Sequence, residues 1–222
     1  MRWDWIPLSA SALVVGAMAL AFGVVLNPVG PDGDAVETVR TVAMADGRWL
    51  AMSVMYFFAS VSLTLGLPAL LTMFNVRARR FGVVAVSVFA VGVIGTSGYA
   101  MLLVFFRALV KHKAIDAGSL DSVARDVGLS VFLFGWVACF AIGVLLVAIA
   151  LFIARRTPVW VPLLLLVFVA TIPIAGQFGR VAQVGQVVAL AFAFTGIATT
   201  AVNETRGGAA SATVRTDSAP VA

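Results

Sequence analysis

Two apolar runs, from Trp49 to Phe74 and from Phe81 to Phe106, carry no charged side chain and are joined by Asn75-Val76-Arg77-Ala78-Arg79-Arg80. Each run exceeds the roughly 20 residues that cross the hydrocarbon core of a bilayer. In lipid every backbone N–H and C=O must be paired inside its own segment, so such runs can only be helices. The link between them holds Arg77, Arg79 and Arg80 with no acid. Short loops rich in Lys and Arg stay on the cytoplasmic side. The turn of this hairpin is therefore expected to face the cytoplasm, and the other spans follow by alternation.

The rest of the chain repeats the pattern. It has 222 residues, 62% of them hydrophobic, and a mean hydropathy of +1.07. This suits one domain that lives in lipid rather than a soluble fold. Apolar runs fall at about 6–26, 49–74, 81–106, 127–154, 159–177 and 181–202. The expected fold is all-α: a polytopic membrane protein, 1–202, built as a six-transmembrane-helix bundle. Residues 203–222 are small and polar without apolar periodicity, which predicts a disordered cytoplasmic tail. A secretory signal peptide competes for the first run, since Arg2 could serve as its basic region. The run is longer than such a segment needs, and no small-residue cleavage site ends it.

Charge supports this orientation. On the alternating topology Arg2, Arg77, Arg79, Arg80, Arg155, Arg156, Arg206 and Arg215 face the cytoplasm, against Asp4, Glu204 and Asp217. The outer loops balance acid against base, so the whole net charge of +5 lies on the inner face. That is a retention signal and an attraction to anionic lipid, not a nucleic-acid footprint. All the basic residues but Lys111 and Lys113 are arginine, and Ala, Val and Gly abound, the bias of a GC-rich bacterial genome. The single cysteine, Cys139, excludes an internal disulfide.

Local signals place the details. Asp34 followed by Glu37 is a capping-box pattern, and Val36, Val39 and Ala43 recur at helical spacing opposite Glu37, Thr38 and Thr41. A short amphipathic helix on the outer surface is expected there. Pro68 removes one rung of its helix and predicts a kink. Gly92 and Gly95 suit close packing of the third span, while Gly135, Cys139 and Gly143 form a small-xxx-small seam on the fourth. Phe105-Phe106-Arg107 continues the third span beyond the membrane. Ser119 is a cap for a helix that runs through Asp121 and Arg125 into the fourth. Gly66 and Arg79 correspond to Gly143 and Arg156 at a common offset of 77, the trace of a weak repeat.

Catalytic constellations are sparse. Gly95-Thr96-Ser97-Gly98 looks like the motif of rhomboid intramembrane proteases, but the one histidine, His112, lies in a loop and cannot serve as the serine's base. One His and one Cys do not make a haem or zinc site, and no P-loop occurs. No ionisable Asp, Glu, Lys, Arg or His interrupts a span, which weighs against a proton relay. The best polar cluster is Gln177, Arg180, Gln183 and Gln186 near the last outer turn.

Gly47-Arg48-Trp49 opening a span, then Gly66-Leu67-Pro68-Ala69-Leu70 and a short basic turn, resembles uncharacterised multi-pass membrane proteins of actinobacteria, in layout over residues 1–160. The resemblance implies a helical fold in the plasma (inner) membrane and supplies no catalytic residue. The expected function is that of a non-enzymatic lipid- or partner-binding accessory protein, without cofactor or metal. The partners would be the lipid bilayer and another membrane protein or a second copy, with no nucleic acid. A small-molecule transporter or channel using Pro68 and the glutamines is the alternative.

Overall fold

A computed structural model of the chain describes residues 5–29, 34–74, 78–175 and 178–216. The described residues form helices and no strand: α1 (Trp5–Leu26), α2 (Ala35–Met44), α3 (Asp46–Thr72), α4 (Arg79–Lys111), α5 (Ala117–Ala124), α6 (Val127–Ala154), α7 (Trp160–Ala175) and α8 (Gly179–Thr216). Five of them, α1, α3, α4, α6 and the first 27 residues of α8, are long and apolar enough to cross a membrane. At 16 residues α7 is shorter, about 24 Å along its axis.

Three local expectations need correction. Residues 203–216 continue α8 as helix, whereas 217–222 lie outside the described residues. A formed helix extends without a new nucleation step, and Arg156 anchors the extension through Glu204 at 3.1 Å. Ser119 is not the cap of the outer-loop helix: its N–H donates to Asp116 Oδ1 at 2.7 Å, and α5 ends before α6 begins. Asp126 opens α6 with its own cap on Leu129 N–H, 2.7 Å, because its extended backbone breaks the run. The inward face of α2 is also shifted. Val42 is buried and Val39 packs beside it, while Val36 is 62% exposed.

The long helices and α7 close into a ring. α1 packs on α3, α3 on α4, α4 on α6, α6 on α7, α7 on α8, and α8 returns to α1. One end of the ring carries Arg79, Arg80, Arg155 and Arg156; the other is covered by α2 and α5. α7 connects the two ends. It follows Arg156, which pairs with Glu204 at the arginine end. It precedes Arg180, whose guanidinium donates to the Val25 carbonyl and, at 2.7 Å, to that of Asn27 at the C-terminus of α1.

Two of the joints share one design. A Cβ on Gly16 of α1 would stand 2.8 Å from Leu63 N, and one on Gly66 of α3 would stand 2.8 Å from Leu13 Cα. In the α4–α6 pair Gly92 abuts the backbone of Phe140 and Gly143 abuts that of Phe89. In both pairs each glycine meets the large residue three positions before its partner glycine, which the antiparallel crossing of a hairpin makes reciprocal. Absent side chains let the helix backbones touch, and dispersion then replaces the hydrophobic drive that lipid cannot provide. Gly66 and Gly143, 77 residues apart, thus hold the same place in two joints of one design, whereas their partners Gly16 and Gly92 lie 76 apart.

The α1–α3 joint also accommodates Pro68. Ser9 Oγ donates to Leu65 O at 2.8 Å and accepts from Ala69 N–H at 2.9 Å, so a hydroxyl from α1 is inserted into the ladder of α3 beside the proline. The helix runs on through Pro68 with these groups satisfied, which is how membrane helices tolerate proline. Ser9→Ala is expected to cost about 1 kcal/mol, the scale of an interhelical hydrogen bond in a membrane. An earlier midpoint in an SDS unfolding titration would register the loss.

Candidate ligand chamber

Aromatic side chains fill the ring toward its arginine end. Phe89 lies 5.4 Å from Phe140 and 5.7 Å from Phe194 between ring centroids, and Phe140 lies 6.2 Å from Phe168. Toward the roofed end the same interior is open. There α4 contributes Gly92 and Gly95, each closed against α6 at Phe140 and Trp136, together with Thr96 and Tyr99. This space is a chamber of about 740 Å³, within the range of small-molecule sites, ~300–1,000 Å³. Its floor is Gly92, Phe140, Phe168 and Leu190, and its walls include Leu20, Val24, Leu133 and Val187. No charged side chain lines it. The floor is packed core, with Leu190 fully buried, so the chamber is blind.

The roof is held by specific contacts. Val42 of α2 joins Trp49, Met52, Leu103 and Val110 in a second apolar cluster. The indole N–H of Trp49 donates to Leu103 O at 2.9 Å, and its ring lies 5.8 Å from Phe106. Arg107 pairs with Asp46: its NH2 donates to Oδ2 at 2.6 Å, and Nε lies 2.5 Å from Oδ1 in the ion pair without a hydrogen bond of its own, which ties the start of α3 to the end of α4. In α5 the bond from Ser119 N–H holds the Asp116 carboxyl below the usual carboxylate range. Ile115, Leu120 and Val123 of this segment face the chamber.

Of the polar cluster suggested by the sequence, the described members Arg180 and Gln186 bond to helix carbonyls. Gln177 lies outside the described residues. Arg180 caps the last carbonyls of α1, where a cation also suits the helix dipole. Gln186 Nε2 donates to Phe168 O at 2.9 Å and so staples α8 to α7. Gln183 is half-buried without a bond to either. Among the small residues Gly92, Gly95 and Gly143 lie in tight helix contacts, Gly95 against Trp136, whereas Gly135 faces open space and Cys139 is partly exposed. The fourth-span seam therefore narrows to Gly143. Ser97 Oγ donates to its own helix at Ile94 O, 2.6 Å, and His112 stands past the end of α4.

The sequence reading passed over the residues that matter most here. Ser9 and Trp49 hold helices together, and Tyr99 and Trp136 line the chamber. The two tyrosines were visible as the only ones in the chain, both inside spans. In the structure Tyr56 and Tyr99 face each other with ring centroids 6.1 Å apart.

The chain was compared with known protein families, curated proteins and solved structures. It matches none of them. The chamber therefore carries the functional reading unaided by relatives.

Proposed function

We propose that this chain is a six-span, non-enzymatic protein of a bacterial plasma membrane that holds the hydrocarbon part of a lipid in its chamber. The observation that carries the reading is an uncharged, largely apolar cavity of about 740 Å³ among the helices of the ring, closed at its floor and half open elsewhere, with the exposed Phe105, Phe134 and Val137 in its lining. In a bilayer such a space fills with what the solvent offers, and the solvent is lipid chain. Six spans follow if α7 counts with the five longer helices, since it runs between the Arg156 end and the Arg180 end of the ring. With Arg79, Arg80, Arg155 and Arg156 at one end, that end and both termini are assigned to the cytoplasm. The α2–α5 roof then lies on the outer surface. Kinship with actinobacterial multi-pass proteins belongs to the same proposal, as does service to a membrane partner. A transporter or channel has less support, because aromatic rings fill the interior below the chamber and Gln186 and Arg180 are spent on helix staples.

The test is native mass spectrometry of the protein released mildly from its own membrane. A discrete adduct of lipid mass is expected. Leu133→Trp, which fills the chamber wall, should remove the adduct while leaving the unfolding midpoint near that of the parent. A bare protein in both cases would refute lipid holding.

A further inference from the structure

The lining of the chamber contains three side-chain donors without a partner among the described residues: Thr38 in the roof, and Tyr99 and Trp136 on two helices of the ring. Its other polar side chains are satisfied: Thr96 Oγ1 donates to Gly92 O at 3.2 Å and the Trp49 indole to Leu103 O at 2.9 Å. Ser130 has a partner, and Thr38 belongs to the roof helix. Tyr99 Oη and Trp136 Nε1 have no hydrogen-bond partner among the described residues. They come from adjacent helices of the ring, α4 and α6, and both residues line the chamber. Tyr99 stands two turns, ~12 Å, below Arg107 along α4, and Trp136 ~13 Å from the start of α6. At that depth water is scarce, and an unmet donor is costly in hydrocarbon.

We infer that the chamber selects an uncharged lipid bearing an ester, ether or carbonyl oxygen, accepted between the Tyr99 hydroxyl and the Trp136 indole N–H. The inference rests on the lipid-holding reading and specifies its ligand. Indole N–H can only donate, so the ligand must supply an acceptor. The absence of charge from the lining rejects a phosphate headgroup at this depth, since a desolvated anion would meet no cation. A pure hydrocarbon would fill the same volume but leave both donors unmet.

The full chain, purified and delipidated, is offered dioleoylglycerol, squalene or phosphatidylglycerol in detergent, and retention is read by native mass spectrometry. Dioleoylglycerol is expected to bind roughly three- to tenfold more tightly than squalene, the worth of one or two net hydrogen bonds. Tyr99→Phe and Trp136→Phe should each reduce that advantage, with squalene retention unchanged and unfolding midpoints preserved. Equal retention of dioleoylglycerol and squalene, unaltered by the variants, overturns the selection while sparing the chamber as a lipid site. Tighter retention of phosphatidylglycerol overturns the uncharged ligand. Retention of none of the three overturns the lipid-holding reading itself.

Discussion

Gly143→Leu is expected to keep α4 and α6 from closing, with little monodisperse protein recovered from the membrane. The new side chain would have to occupy the space of the Phe89 backbone, which cannot rotate away as a flexible side chain could. Overpacking a core with room to adjust costs about 1–3 kcal/mol; a backbone-to-backbone contact leaves no such room, so the upper end or more applies. The matched control is Gly135→Leu on the same helix. Gly135 has open space around its missing Cβ, and that variant should extract and unfold like the parent. Size-exclusion profiles and SDS unfolding midpoints of the pair decide the matter. Equal behaviour of the two variants would dismiss the joint.

Trp49→Ala should produce the second large loss, about 3–5 kcal/mol, the range for deleting a buried aromatic side chain. Trp49 is 5% exposed and central to the cluster that attaches α2 to the ends of α3 and α4. Trp49→Phe separates the two contributions. It keeps most of the packing and gives up only the bond to Leu103 O, so about 1 kcal/mol should go. Hydrogen exchange would locate the damage, with faster exchange in α2 and at the start of α3 and the arginine end unaffected. Uniform acceleration through the ring would contradict a separate roof cluster.

The helices were legible because their cause is local. A run such as 127–154 has no alternative in lipid but to be helix, and α6 occupies the same residues. The capping pattern at Asp34 was equally local, and its carboxylate accepts from Glu37 N–H at 2.7 Å. Partners across the bundle were not legible. Ser9 and Leu65 are far apart in sequence, and no periodicity in an all-round apolar helix tells which face meets a neighbour. For the same reason Gly135, Cys139 and Gly143 formed one seam on paper, whereas only Gly143 reaches a facing backbone. The glutamines drew attention as polar groups near an outer turn, yet Gln186 is absorbed by a carbonyl of α7. The chamber had no signature at all. It lies where residues of several helices and of the roof meet above the phenylalanine-filled level, a property of assembly rather than of any segment.

The two glycine joints lie within hairpins of neighbouring helices, α1 with α3 and α4 with α6, so each can lock before the next pair has left the ribosome. The α7–α8 pair arrives last and must find α1, the first helix made. Arg180 on the waiting carbonyls of Val25 and Asn27 is then a closing latch, set only when synthesis is nearly complete. Until that moment the ring stands open between α1 and α8.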